Sequence, residues 1–326
     1  MRFRPTVVAV AASFVLLLTL PAGAAEDGEY PAPWPAGDVT FTVPFSRGSE
    51  LDVLRSLIGA NFTARTGKQF VPRYVDGRAG ADAWAQMVDD PQDGTVLTAV
   101  ILPDAYLRSL QPDSGVSLAN MAICNVIAFM PLALWAPADG AYSSANDVVD
   151  AAAAGNGEFM VAGPGRFSTA QIASRSLDRE GGVRSTYIPY TGTLTAAGAV
   201  ARRQAEVYWG YSVPVAMPGA KFKPLAVAAA SRVPAMPDIP TFREIGLEVI
   251  QGVHIAIAVS VETPKLTREE VSEYFSELAR SVAYRENAVR AGFTPMDVNL
   301  ESLKLFLTQE VENAKKLSSD FTLADQ

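Results

Sequence analysis

The chain has 326 residues, with 27 Lys and Arg against 35 Asp and Glu, a formal net charge of −8. That balance argues against a nucleic-acid surface, which needs a basic face, but not against a small anionic ligand, because local fields decide such binding. With 49% hydrophobic and 19% charged residues the chain can bury a good core, and its one cysteine, Cys124, excludes an intramolecular disulfide.

In chain order, Arg2 and Arg4 precede an apolar run from Val7 to Leu20, and Pro21-Ala-Gly-Ala-Ala25 supplies small residues. This is the pattern of a secretory signal peptide over residues 1–25, cleaved after Ala24 or Ala25. The run is too short to span a bilayer, and the best later stretch, Met121 to Ala136, is broken by Asn125 and Pro131. No cysteine lies near the cleavage site to carry a lipid. The export pattern implies a soluble periplasmic protein. The mature chain of about 300 residues is long enough for two domains.

Glu26 to Gly37 is proline-rich and reads as an extended arm. Period-2 and period-3.6 patterns then alternate. Strands are predicted at Val39–Val43, Gln69–Val75 and Thr95–Leu102, with helices at Gly48–Asn61 and Ala79–Val88 between them. Ala122 to Ala136 holds either two strands or one that changes domain. A second series follows: helix Ser144–Ala154, strand Phe159–Ala162, helix Ser168–Arg179, strand Thr186–Pro189, helix Thr193–Arg203 and strand Glu206–Tyr211. Leu225–Ala230 and His254–Val259 read as strands, and Thr267–Arg290 and Ser302–Leu317 as the last two helices. Such alternation predicts βαβ units in two α/β modules without a flexible tether, and a cleft between them. Cys124 sits in an apolar segment and reads as a buried small hydrophobe.

Four strand-to-helix turns carry candidate chemistry. The first is Pro44-Phe-Ser-Arg-Gly-Ser-Glu-Leu-Asp52, where a helix N-terminus and Arg47 favour an anion. The second is Gly163-Pro-Gly-Arg-Phe-Ser-Thr169. The third is Pro189-Tyr-Thr-Gly-Thr193, and the fourth is Gly77-Arg-Ala-Gly80. Each also reads as a plain capped turn, with Arg78 solvated and Tyr190 in the core. Together they place four similar loops at the carboxyl ends of strands, where open α/β sheets bind ligands. Trp209-Gly-Tyr211 either lines a pocket or fills a core. Catalytic groupings are scarce. His254 is the only histidine, no nucleophile elbow or phosphate loop is present, and one histidine with one cysteine cannot make a typical zinc site. No metal or cofactor is expected.

The stretch from Lys223 to Leu247 is a strand followed by a loop stiffened by Pro234, Pro237 and Pro240. Its order, Leu225-Ala-Val227, Ser231, Arg232, Pro234, Pro237-Asp238, Pro240-Thr241, Glu244 and Gly246-Leu247, resembles the receptors of tripartite tricarboxylate transporters, the Bug or TctC proteins. Val43-Pro-Phe45, Gly48, Asp52 and Arg55 are similar to that family's opening pattern. Gly165, Ser168, Thr169, Pro189, Tyr190 and Gly192 match its middle loops. The resemblance runs from about Tyr30 to Lys316. It implies a two-lobed type II periplasmic-binding-protein fold with two crossings, lobe 1 comprising residues 30–126 and 252–326 and lobe 2 residues 127–251. It implies a receptor that holds a small organic carboxylate (a di-, tri- or aromatic carboxylate, or an amino acid) in the cleft and hands it to a membrane permease, and nothing demands more than a monomer. Carried over by position, one pincer is Phe45, Ser46, Arg47, Gly48, Ser49 and Asp52. The other is Gly165, Arg166, Phe167, Ser168 and Thr169, helped by Tyr190, Thr191, Gly192 and Thr193. Arg78 and Trp209 complete the expected site. Ser49 and Phe167 stand where that family usually has glycine, Gln171 where histidine is common and His254 where tryptophan is. The arginines at 47, 78 and 166 point to an anion, and Phe167 to an aromatic acid. Two alternatives remain open: a secreted enzyme using Ser168 or Asp52, and a binding protein that feeds a sensor.

Overall fold

A computed structural model describes residues 34–155 and 157–322. The signal-peptide segment and most of the proline-rich arm therefore lie outside the described residues. Where the description begins, Trp34 is held by its indole N–H to the Gly94 carbonyl at 2.9 Å and packs edge-on against Phe62 and Tyr274.

The first half alternates as expected. Strand β1 (Val39–Val43) buries Val39, Phe41 and Val43, and helix α1 (Glu50–Thr66) turns Leu51, Leu54, Ile58 and Phe62 inward at helical spacing. Strand β2 (Phe70–Tyr74), a short 3₁₀ turn with helix α2 (Ala81–Ala85), strand β3 (Val96–Leu102) and helix α3 (Asp104–Ser109) follow. All seven residues of β3 are buried, the mark of a central strand covered on both faces. The long apolar segment is one strand, β4 (Met121–Pro137).

The second half contains α4 (Ala145–Gly155), β5 (Met160–Pro164), α5 (Thr169–Gly181), β6 (Thr186–Tyr190), α6 (Thr193–Ala201), β7 (Val207–Tyr211) and β8 (Phe222–Val227). Strand β9 (Gly252–Ser260), helices α7 (Lys265–Arg280) and α8 (Val282–Ala291), strand β10 (Thr294–Val298) and helix α9 (Leu300–Thr322) complete the chain.

The strands form one continuous curled sheet in the order β2-β1-β3-β9-β4-β7-β5-β6, with β8 and β10 also pairing β4. Each half rests on a parallel trio, β2-β1-β3 or β6-β5-β7. Strand β4 joins the halves. Its residues Met121–Pro131 pair antiparallel with β9, and Leu132–Trp135 with β7. The change of partner falls beside Pro131, which has no N–H to give a ladder. The two-lobed α/β expectation is thus realised with β4 and β9 as the strands between the parallel trios.

The sequence reading differs from the structure in three places. Helix α3 and strand β10 were not anticipated. The single helix expected over Thr267–Arg290 is two, because Ser281 leaves the helical region at φ −65°, ψ 136° and its side chain caps α8 by accepting the Tyr284 N–H. Cys124 is fully buried, and burial pushes its thiol up to about 12. The proline-stiffened block is a clip: Val227 and Phe242 exchange backbone bonds with Pro240 and Val227, and Arg232 reaches Glu244 and the Pro237 carbonyl.

Candidate functional site

The loops at the carboxyl ends of the two parallel trios converge on a cavity of about 1100 Å³. The first half supplies Ser46 after β1, Arg78, Ala79 and Ala81 after β2, and Arg108, Gln111 and Ser114 from α3 and the turn beyond it. The second supplies Gly165, Arg166 and Phe167 after β5, Pro189 to Thr191 after β6, the α6 residues Leu194, Gly198 and Arg202, and Met217 with Pro218 after β7. Among the described residues four non-glycines have positive φ, and Arg78, Ala79 and Phe167 of these line the cavity. Strained backbone of that kind concentrates at ligand sites.

The expected pincer residues divide into those that face the cavity and those that brace it. Of the first pincer, Ser46 faces the cavity and its hydroxyl donates to Asp76. Phe45 packs on Gly192, with Ser49 and Thr193 beside it around a narrow gap. Arg47 is exposed and away from the cavity wall. Asp52 accepts from the Gly48 N–H at 2.9 Å, from Arg55 at 2.8 Å and from the Tyr74 hydroxyl at 2.8 Å. Burial alone would raise this carboxyl, but these bonds outweigh it and hold it below its ordinary value. Asp52 thus fixes the loop rather than reaching the cavity.

The second pincer is also largely satisfied from within. The Ser168 hydroxyl donates to the carbonyls of Pro164 and Gly165 at 2.7 and 3.0 Å and accepts the Gln171 N–H, capping α5. The Phe167 N–H goes to the Gln171 side chain at 2.8 Å, and the Thr169 N–H to Asp104 at 3.0 Å. The Gly192 N–H goes to the Thr195 hydroxyl at 3.1 Å. Trp209 is fully buried against Phe242 and does not line the cavity.

What the cavity offers instead is guanidinium. Arg78 is tethered to Asp82 at 2.5 Å and to the Asp113 carbonyl at 2.8 Å. Arg166 lies over the Phe167 ring, 5.6 Å from its centre. The Arg108 side chain makes no ion pair or hydrogen bond among the described residues, and its Nε is buried without a partner. Its Nη2 occupies the space a Gly165 side chain would fill, an approach that the glycine at φ +69° permits. Burial lowers the Arg108 pKa, opposed by the charge of nearby Asp104 and by Tyr187. Sequence reasoning missed Arg108, along with Leu194, Gly198 and Met217. A lone arginine in a six-residue helix gives no pattern; the Leu194-Gly198-Ala201 spacing on one helix face was the one readable signal.

Two buried carboxyls from the first half meet helix N-termini of the second. Asp104 caps α5 and is pushed up to about 6, chiefly by burial. Glu50 lies beside Thr193 at the start of α6 and is pushed up to about 7, again by burial.

These features match a known family. Residues 81–323 match the family described as tripartite tricarboxylate transporter family receptor, and the chain belongs to that family. A Bordetella bronchiseptica protein of the UPF0065 group is 25% identical over 296 residues, 87% of this chain and 82% of its own. A Cupriavidus necator relative of the same group is 20% identical over 325 residues, 97% and 96% of the two chains. Among solved structures, a Rhodopseudomonas palustris protein with adipate superposes with a TM-score of 0.80 at 22% identity, covering 88% of this chain and 97% of its own. The periplasmic binding protein BugD gives 0.79 at 19% identity, covering 90% and 99%. A second R. palustris protein, MatC, with bound malate, gives 0.74 at 22% identity, covering 87% and 100%.

Proposed function

We propose that this protein is an extracytoplasmic receptor that captures an organic carboxylate in the cavity and delivers it to the membrane subunits of a tripartite tricarboxylate-type transporter. The observation that carries the reading is Arg108: a partly buried guanidinium at the cavity wall, without a partner. Its Nε is buried without a hydrogen-bond partner, and an entering carboxylate would satisfy it with a charge-assisted bond. Carboxylates bound by two structural neighbours, adipate and malate, fit the same chemistry. Residues 30–126 with 252–326 and residues 127–251 then act as lobes that close on the ligand, with β4 and β9 as the hinge strands. Export through the signal peptide places the receptor, a monomer, in the periplasm.

The side chains support a binding rather than a catalytic role. The Ser168 hydroxyl is buried and spent on carbonyls, and Asp52 is held by three donors. The only histidine pairs with Glu310 at 3.1 Å, on β9. Among the described residues no hydrogen bond joins either candidate nucleophile to the histidine.

The test is a thermal-shift screen of di-, tri-, mono- and aromatic carboxylates and amino acids. At least one acid is expected to raise the melting temperature, by several degrees at a hundredfold excess over Kd. Arg108→Leu is expected to abolish the shift. A full screen without any shift would overturn the reading.

A further inference from the structure

The cavity is larger than a four-carbon diacid needs, and part of its lining is apolar. At about 1100 Å³ it lies just above the range that holds drug-sized molecules, about 300–1000 Å³. One face of α6 forms its floor: Leu194, Gly198, Ala201 and Arg202, at i, i+4, i+7 and i+8. At 1.5 Å per residue that stripe runs about 12 Å from the pincer loops. Met217 and Pro218 stand along it. Beyond Ala201 and Met217 the floor continues into a second cavity of about 1040 Å³ that shares both residues, so the far end is open.

The half-buried guanidinium, Arg108, is at one end. Arg78, Arg108 and Arg166 gather where α3 meets the loop after β5. At the far, open end Arg202 is exposed and donates to the Gln204 side chain at 3.3 Å, so its charge stays in water and holds an anion less strongly than the half-buried Arg108. The N–H groups of Gly48, Gly165, Phe167, Thr169 and Gly192 are bonded within the protein, which leaves the Arg108 guanidinium as the anchor for the head group.

Resting on the carboxylate reading, we propose that the preferred ligand is an amphipathic monocarboxylate. Its head is anchored by Arg108, and a hydrocarbon body of about eight carbons or more lies along Leu194, Gly198 and Ala201 under Met217. Removing that tail from water supplies the affinity, and Arg108 fixes its direction.

Calorimetric titration of straight-chain acids from acetate to decanoate, with malate and adipate alongside, tests this. Affinity is expected to rise about three- to fourfold per added methylene, the gain from burying one such group, up to about eight carbons. Ala201→Trp alters an exposed position and should fold; it is expected to flatten the rise beyond about six carbons while leaving butyrate within about twofold. Arg108→Leu is expected to remove binding of every acid. If malate or adipate binds and octanoate is no tighter than butyrate, the amphipathic assignment falls and the carboxylate reading stands. If no acid of either kind binds, both fall.

Discussion

Asp104 shows how one residue ties the halves together at an electrostatic cost. Its carboxyl accepts the Thr169 N–H across the seam, and burial pushes its pKa up to about 6 from an ordinary 3.8. The native protein therefore takes up this proton before the unfolded chain does. Between those two values stability falls as pH rises, and the shift corresponds to about 2–3 kcal/mol. Glu50, raised to about 7, acts in the same direction over a window beginning at 4.5. Asp104→Asn keeps an oxygen for Thr169 but cannot ionise. Measured by chemical denaturation, the wild type should gain about 2–3 kcal/mol relative to this variant as pH drops from 7.5 to below 4. A difference that stays flat with pH would show that Asp104 is not the buried, proton-binding group described.

Elements in this chain end where side chains provide a cap, and that governs what can be read from the sequence. The apolar periodicity of Thr267–Arg290 runs on through Ser281, with no glycine or proline to punctuate it. The break exists because Ser281 caps α8, accepting the Tyr284 N–H at 3.3 Å, while its own N–H closes α7 on the Glu277 and Leu278 carbonyls. Ser281→Ala should cost about 1 kcal/mol in urea denaturation and Ser281→Gly only a few tenths; equal losses would mean that the hydroxyl is not the cap. The longer elements were legible because their patterns are strong: β1, α1, β3 and the β5-to-β7 series all fall close to their expected positions. Helix α3 was hidden by its six residues and by Pro103 ahead of it, and β10 by Pro295 and its half-buried mixture. The cavity loops were legible as places and less so as chemistry. Nothing local shows that Ser168 spends its hydroxyl on carbonyls, that Trp209 turns inward, or that Arg108 is left unpaired, because each depends on chain distant in sequence.

At the scale of the whole molecule, the seam between the halves is held by contacts that all lie at the carboxyl ends of the strands. Asp104 caps α5, Arg108 and Ala79 crowd Gly165, and Phe45 meets Gly192. If β4 and β9 act as the proposed hinge strands, a wedge in the seam should act on closure rather than on folding. Gly165 is the place for it. A Cβ there would strike the Arg108 guanidinium and lie 2.7 Å from the Ala79 Cβ, both from the first half. Gly165→Ala also puts alanine at φ +69°, a local strain of about 1–2 kcal/mol. Gly182→Ala supplies the control, since it has φ +63° with open space around it. Both variants should lose similar stability on thermal denaturation. Only Gly165→Ala should also lose ligand affinity, by more than tenfold, and show a larger radius of gyration in small-angle scattering with ligand present. Matching affinity and radius in the two variants would mean that binding does not require this seam to close.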